Sequence, residues 1–307
     1  MLATSALGST PPGRLRSLRG VAWSFHAVLR MPLFSRRDGT LCRDVPAYRQ
    51  IMPFIMRTRN ESAVYFSQTL NLDRTMPWLE EQSARLGTRC TLFHVFLYGV
   101  LQVLEQRPRL NRFVAGGRLY QRKGIWVSYS AKKALRDDAP IVVLKREFSP
   151  QHTFTELMAA LAGDLKTGRS DEKSHVDKEL RLVLALPGPI IRLLLRLQTG
   201  LYDWNLLPDA YTRPDPMYAS MFIANLGSLK MDAAYHHLYE YGNIPIFAVV
   251  GRVHRAVEAD HDGNAVTRTV AQVKYTLDER TEDGLYCAQS LEVVRQVVED
   301  PATHVKV

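Results

Sequence analysis

The sequence predicts an α/β fold. Stretches whose apolar residues recur three and four apart alternate with short runs rich in β-branched and aromatic residues, the periods of helix and strand. The 307 residues suffice for one large domain or two ordinary ones. A composition of 46% hydrophobic and 23% charged residues is that of an ordinary soluble globular protein.

The elements follow in order. Residues 47–66 read as a helix running into a strand, with Ile51, Phe54 and Ile55 at helical spacing and β-formers from Ser62 to Asp73. Thr75 to Leu86 reads as a helix stopped by Gly87. Thr91 to Glu105 is a strongly apolar helix ended by Pro108, and its lone His94 reads as a packed or rim residue. Two strands, Gly124 to Ala131 and Pro140 to Phe148, precede a helix from Thr153 to Lys166 that carries Phe154, Leu157, Met158, Leu161 and Leu165. Met217 to Ile223 and Pro245 to Gly251 are apolar strands. Val253–Glu258 and Ala265–Leu277 form a hairpin around Asp260-His261-Asp262-Gly263. A last helix, Leu285 to Glu299, buries Leu291, Val294, Val297 and Val298 and stops at Asp300-Pro301.

Several classes are excluded. The formal charge of +9 suggests nucleic acid, but six of those charges are arginines in residues 1–37, which hold no acid; the rest is bland and carries no nucleic-acid motif. Residues 1–46 are expected to form a basic, disordered extension, with Met31 as an alternative start, and residues 47–307 a single domain. Leu180 to Leu197 is apolar but cut by Pro187-Gly188-Pro189 and by Arg181, Arg192 and Arg196. It is too broken for a span, so no membrane contact is expected, and a helix–turn–helix packed on the core or on a neighbouring subunit is. Cys42, Cys90 and Cys287 are too widely spaced for a disulfide framework or a zinc site, which suggests the cytoplasm and no metal. Cys287 reads as a packed thiol.

Two stretches carry the functional reading: Phe222-Ile223-Ala224-Asn225-Leu226-Gly227 and Asp278-Glu279-Arg280-Thr281-Glu282-Asp283-Gly284. With the strand Pro245–Gly251 between them and Pro108-Arg109-Leu110-Asn111 upstream, they resemble the catalytic domain of the dihydrolipoamide acyltransferases of 2-oxo acid dehydrogenase complexes, in the chloramphenicol acetyltransferase superfamily. There the stretches read roughly F-T-I-S-N-L-G and D-H-R-x-x-D-G. The resemblance covers about residues 47–301. It implies a mixed sheet flanked by helices, a homotrimer, coenzyme A or acyl-CoA as cosubstrate, a small-molecule acceptor, and an active site between subunits. No lipoyl-bearing turn occurs, so a stand-alone enzyme is implied.

The residues that match carry the family's roles only in part. Asn225, Gly227, Arg280 and Gly284 keep the substrate and loop positions, and Asp283 keeps the structural, orienting aspartate. The catalytic histidine's position holds Glu279, and the oxyanion-binding serine's position holds Ala224. A solvated glutamate has a pKa near 4.3, about two units below histidine, and is the weaker base for a thiol. Loss of an oxyanion donor costs about 10²–10³ in rate. Ser220 and Ser228 are candidate replacements for the hydroxyl. His237, in His236-His237-Leu238-Tyr239-Glu240-Tyr241-Gly242, is a candidate relocated base, weighed against a solvated loop histidine. Arg57 or Arg59 is a candidate partner for Asp283. Two functions are therefore carried forward: a divergent CoA-dependent acyltransferase, and a non-catalytic binding or scaffold protein of the same fold.

Overall fold

A helix whose buried side is almost wholly apolar lies against one face of a mixed sheet, and the rest of the fold is arranged about that contact. The computed structural model describes residues 36–132, 141–169 and 183–307. In chain order the elements are β1 (Gly39–Leu41), α1 (Ala47–Ile55), β2 (Ala63–Asn71), α2 (Thr75–Leu86), α3 (Leu92–Gln106), β3 (Arg112–Ala115), β4 (Arg118–Arg122), β5 (Ile125–Lys132), β6 (Ile141–Phe148), α4 (Phe154–Arg169), α5 (Gly188–Asp203), α6 (Asp209–Thr212), β7 (Met221–Asn225), β8 (Ile246–Ala259), β9 (Ala265–Asp278), α7 (Gly284–Glu299) and α8 (Pro301–His304). Short 3₁₀ turns occupy Pro108–Asn111 and Leu226–Leu229. The N-terminal segment and the start of the apolar stretch at 180–182 lie outside the described residues.

The large sheet has the strand order β2-β9-β8-β7-β5-β6. The β7 strand runs parallel to both β5 and β8, and the other pairings are antiparallel, so the sheet is mixed as the resemblance implied. Period-two alternation divides its residues between two faces. Val127, Tyr129, Ile223, Ala248, Val250, Val273 and Tyr275 point to the helices, where α3 contributes Val95, Phe96, Leu97, Val100 and Leu101 to the main core. Phe222, Phe247 and Val249 point the other way, into a smaller cluster with Leu238 and Ile244.

Local chemistry explains several element ends. Helix α2 stops at Gly87, whose left-handed φ of +62° is costly for other residues. His94 is part of a capping box at the start of α3: its Nδ1 accepts the Thr91 backbone N–H at 3.1 Å. Burial pushes its pKa down to about 4, so it is neutral at physiological pH. Cys287 is buried, and desolvation raises its thiol to about 12; it is a packed residue.

Two features add to the sequence reading. One compact unit spans Arg36–Val307. Strand β1, placed by the sequence in the basic extension, pairs with β4, which pairs with β3 in a separate three-stranded sheet. Arg36 anchors it, buried against the Tyr202 ring at 4.1 Å and bonded to Asp38 at 3.0 Å. A three-residue strand has no periodicity to read. The second concerns α1, which is helical as its spacing predicts. Its apolar stripe of Ile51, Phe54 and Ile55 faces outward, whereas Arg49 and Pro53 are buried. Apolar spacing identifies a face, not what covers it.

Candidate functional site

The Asp278–Gly284 loop is the most heavily tied segment of the candidate site. Strand β9 ends at Asp278, whose N–H donates to the Pro245 carbonyl at 2.9 Å. Arg280 folds back on Asp278 in a two-pronged ion pair, Nε to Oδ1 at 2.8 Å and Nη2 to Oδ2 at 2.7 Å. Ser62 Oγ adds a third bond to Oδ1 at 2.9 Å. Both partners are buried, which makes the pair expensive to break from one side. Arg280 stays strongly basic: burial works against its charge, and the Asp278 hydrogen bonds outweigh that.

Glu279 projects from this clamp. Its backbone is pinned on both sides, N–H to the Ser62 carbonyl at 2.9 Å and carbonyl to Arg49 Nη1 at 2.7 Å. Its side chain is half-buried. Glu282 is 4% exposed and faces three arginines: Arg112 at 3.1 Å, Arg109 at 3.3 Å and Arg49 at 3.7 Å. Asp283 caps α7, Oδ1 accepting the Tyr286 N–H at 2.8 Å, and that bond holds its carboxyl below the usual range. Gly284 follows as the first residue of α7.

The ion pair of Asp283 is with Arg49, at 3.7 Å. Of the sequence candidates, the Arg59 guanidinium is engaged elsewhere, donating to the carbonyls of Tyr239, Glu240 and Gly242, and no ion pair joins Arg57 to Asp283 among the described residues. Arg49 and Glu282 are the site residues that sequence reasoning missed. The bond of Arg280 to Asp278 also went unassigned, though the Asp-x-Arg spacing was a usable signal.

The second stretch forms the end of β7 and the turn after it. Ala224 lies opposite Val249, on the sheet face away from the helices. Asn225 Oδ1 accepts the Ser228 N–H at 3.2 Å and caps the 3₁₀ turn. Gly227 is required by close approach: a Cβ there would lie 2.4 Å from the Gly251 carbonyl oxygen. We expect Gly227→Ala to cost about 1–3 kcal/mol by overpacking, read as a lower denaturant midpoint at an unchanged slope. Of the two serines near Ala224, Ser228 has its hydroxyl proton committed, and Ser220 is fully buried with its oxygen accepting a bond. Ser220 Oγ accepts the Trp126 N–H at 3.0 Å, and Ser228 Oγ donates to the Asn225 carbonyl at 2.8 Å.

His237 is exposed, its Nδ1 3.0 Å from the Leu238 carbonyl. Its neighbour His236 stacks on Phe247, ring centroids 3.9 Å apart, against the face that holds Ala224. Among the described residues, no group of three His, Cys, Asp or Glu side chains is placed to hold a metal. No helix there is long and apolar enough to cross a membrane.

Within one protomer Ala224 and Glu279 are well separated. Ala224 lies level with Val249, and Val249 with Lys274. Asp278 is four residues further along β9 and two strands away. At ~3.3 Å per residue and ~4.8 Å per strand, Ala224 and the start of the loop are roughly 16 Å apart.

Solved structures of low sequence identity share this architecture. The Azotobacter vinelandii dihydrolipoamide acetyltransferase, in whose catalytic mechanism a serine, a histidine and an asparagine have been investigated, superposes at a TM-score of 0.56 with 14% identity, over 86% of this chain and 93% of that one. The cubic core of a pyruvate dehydrogenase multienzyme complex gives 0.57 with 13% identity, over 86% and 93%. The chain has the fold of a dihydrolipoamide acyltransferase catalytic core. A truncated catalytic core of the Thermoplasma acidophilum 2-oxoacid dehydrogenase complex shares that acyltransferase fold at 0.54 with 15% identity, over 85% and 98%. No protein-family model matches the sequence, and no curated protein matches it.

Proposed function

We propose that the chain is a divergent, stand-alone CoA-dependent acyltransferase that works as a homotrimer, with Glu279 of one subunit facing Ala224 of the next. The observation that carries this reading is the pairing of a rigid loop with a wide separation. The Asp278–Arg280 clamp and the two bonds on the Glu279 backbone fix the point from which that carboxylate projects. Roughly 16 Å within a protomer is too far for Glu279 and the Ala224–Gly227 turn to act on one thioester, so a shared site needs a second copy. The outward stripe of Ile51, Phe54 and Ile55 fits that arrangement, because α1 also supplies the Arg49 bond to Glu279.

In this mechanism CoA thioester and a small-molecule acceptor are both substrates. Glu279 takes the acceptor's proton as the acceptor attacks the thioester carbonyl. The collapsing tetrahedral adduct expels CoA as its thiolate, which takes the proton held on Glu279 and returns the carboxylate to its starting state. The side chain of Ala224 offers no hydrogen bond to the oxyanion, so the expected rate is low. Asn225, Gly227, Arg280, Asp283 and Gly284 act through backbone shape. The free thiols of Cys42, Cys90 and Cys287 fit a reducing compartment, and we assign the protein to the cytoplasm.

Ala224, with Ser220 fully buried and the Ser228 hydroxyl already donating to Asn225, favours a second reading: a protein that keeps the fold and binds CoA without turning it over. One experiment separates the two. Solution mass is measured by light scattering, thermal melting with and without CoA, and CoA release from a panel of acyl-CoAs with a dithiol acceptor, for wild type and Glu279→Gln. The enzyme reading expects a trimer, stabilisation by CoA of several degrees in both proteins, and release that falls at least tenfold in the variant. Stabilisation without release supports the binding protein. A monomer, or release unaffected by the variant, sinks the proposal for Glu279.

A further inference from the structure

A cleft of about 270 Å³ opens at the far end of the sheet face that carries Ala224. Its walls are the start of β5, Lys145 on β6, the segment around Asp209 to Arg213, and Tyr218. The backbone N–H of Ser220 donates to the Trp126 carbonyl at 2.7 Å, which sets Trp126 level with Ser220. That is four residues before Ala224, or ~13 Å along the strand. The cleft is therefore separate from the proposed reacting centre.

Its charge is unusual for so small a space. Arg37, Arg122, Lys123, Lys145 and Arg213 line it against three carboxylates. One of the three, Asp38, is already spent on Arg36 at 3.0 Å and the Tyr202 hydroxyl at 2.6 Å. Arg122 is 6% exposed. Its Nη2 donates to the Asn243 side-chain oxygen at 2.8 Å, but its Nε finds no acceptor among the described residues. Burial lowers its pKa only to about 10, so it remains charged at neutral pH. That N–H is enclosed within the protein, with the guanidinium stacked 4.4 Å from the Phe113 ring centre, so Arg122 acts on the cleft as a fixed positive charge in its wall.

Lys145 completes the arrangement. Its ammonium carries three protons, and two go to the carbonyls of Thr212 at 2.9 Å and Asp215 at 3.1 Å. The third remains for a ligand. Trp126 forms an apolar wall, with Lys145 Nζ 5.0 Å and the Arg213 guanidinium 5.7 Å from the ring centre. We propose that this cleft binds a small organic anion, its carboxylate or tetrahedral oxyanion held by Lys145 and Arg213 in the field of the Arg122 charge and its apolar body against Trp126. At about 270 Å³ the space lies at the small end of ligand pockets, which fits a compact acid.

The electrostatics give the binding a pH signature. Desolvation, followed by the nearby Arg122 charge, brings Lys145 down to about 7. Arg213, Asp38 and Asp215 also act on it, and Lys123, Arg37, Asp209 and Glu147 line the same cleft. Asp215 is held by the Tyr241 hydroxyl at 2.6 Å and the Met217 N–H at 2.8 Å. A bound anion favours protonated Lys145, so affinity is full below pH 7 and falls as pH rises through it. Between pH 6 and pH 8 the protonated fraction drops from about nine-tenths to about one-tenth, a roughly tenfold loss of affinity.

The test is isothermal titration of the full chain with sulfate and with benzoate, at constant ionic strength in chloride, at pH 6 and pH 8. Both probes keep their charge over that range. Saturable binding is expected, about tenfold tighter at pH 6, weakened at least fivefold by Arg213→Gln and made pH-independent by Lys145→Gln. Benzoate alone binding assigns a carboxylate ligand; sulfate alone binding assigns a phosphate or sulfate ester. The proposal is overturned if neither probe saturates, if wild-type binding does not change with pH, or if Arg213→Gln, an exposed position, binds both probes like wild type.

Discussion

Asp278→Ala should unfold the protein about 10 °C earlier than wild type. The carboxylate is 3% exposed and satisfies both prongs of Arg280, itself 5% exposed. Removing one partner leaves a buried guanidinium, a cost of about 3–5 kcal/mol, which for a domain of this size corresponds to a melting shift of roughly 10 °C. It also removes the acceptor of Ser62 Oγ, so one side-chain tie between the start of β2 and the end of β9 is lost while the backbone ladder between them remains. Arg280→Met in the same background should recover part of the loss, because an apolar pair needs no compensation. Scanning calorimetry of the two variants checks this. A single variant that melts within 2 °C of wild type would show the pair to be solvated and not a clamp.

How much of this was legible in the sequence differs from element to element. Helix α3 was plain because its apolar residues run through four turns and Pro108 ends it. The β8–β9 hairpin was plain because Asp262-Gly263 sits between two alternating runs. The loop from Asp278 to Gly284 stood out as a motif. The internal logic of that loop did not. Arg49 binds Glu279, Glu282 and Asp283 from a helix some 230 residues away in sequence, and an arginine beside an apolar stripe reads as solvated. The apolar stripe of α1 misleads in the same way: Phe54 and Ile55 are each 61% exposed, so periodicity identified the face but not its partner. Glu282 was invisible because a buried carboxylate is stabilised only by cations that the fold brings to it, here Arg49, Arg109 and Arg112. The cleft at Lys145 has no sequence signature at all, since its cations come from the end of β4, from β6 and from the segment after α6.

Restoring the two reacting groups should convert a slow protein into a fast one. Glu279→His supplies a base with a pKa nearer neutrality, an effect of about 10²–10⁴, and Ala224→Ser supplies an oxyanion donor worth about 10²–10³. The two groups act as a unit, so their effects should not multiply: each single variant recovers only part of the gain, and the double variant should raise CoA release from acyl-CoA about 10³-fold overall. The fold should accept both changes. The Glu279 backbone is held through its N–H and carbonyl, which a histidine retains, and Ala224 lies at an intermediate position on the strand rather than at its buried core. A second arm tests where the site lies. Chains carrying only Glu279→His, refolded with chains carrying only Ala224→Ser, place both groups at about a quarter of the subunit contacts in a mixed trimer. Because no chain in the mixture carries both groups, activity above that of either single-variant trimer can come only from a site shared between subunits. A double variant that forms trimers and is stabilised by CoA, yet releases no more CoA than wild type, would show that the lost chemistry is not recoverable at these positions and would leave the binding-protein reading in its place. Activity in the double variant but none in the mixture would put the reacting groups within one chain and overturn the shared site.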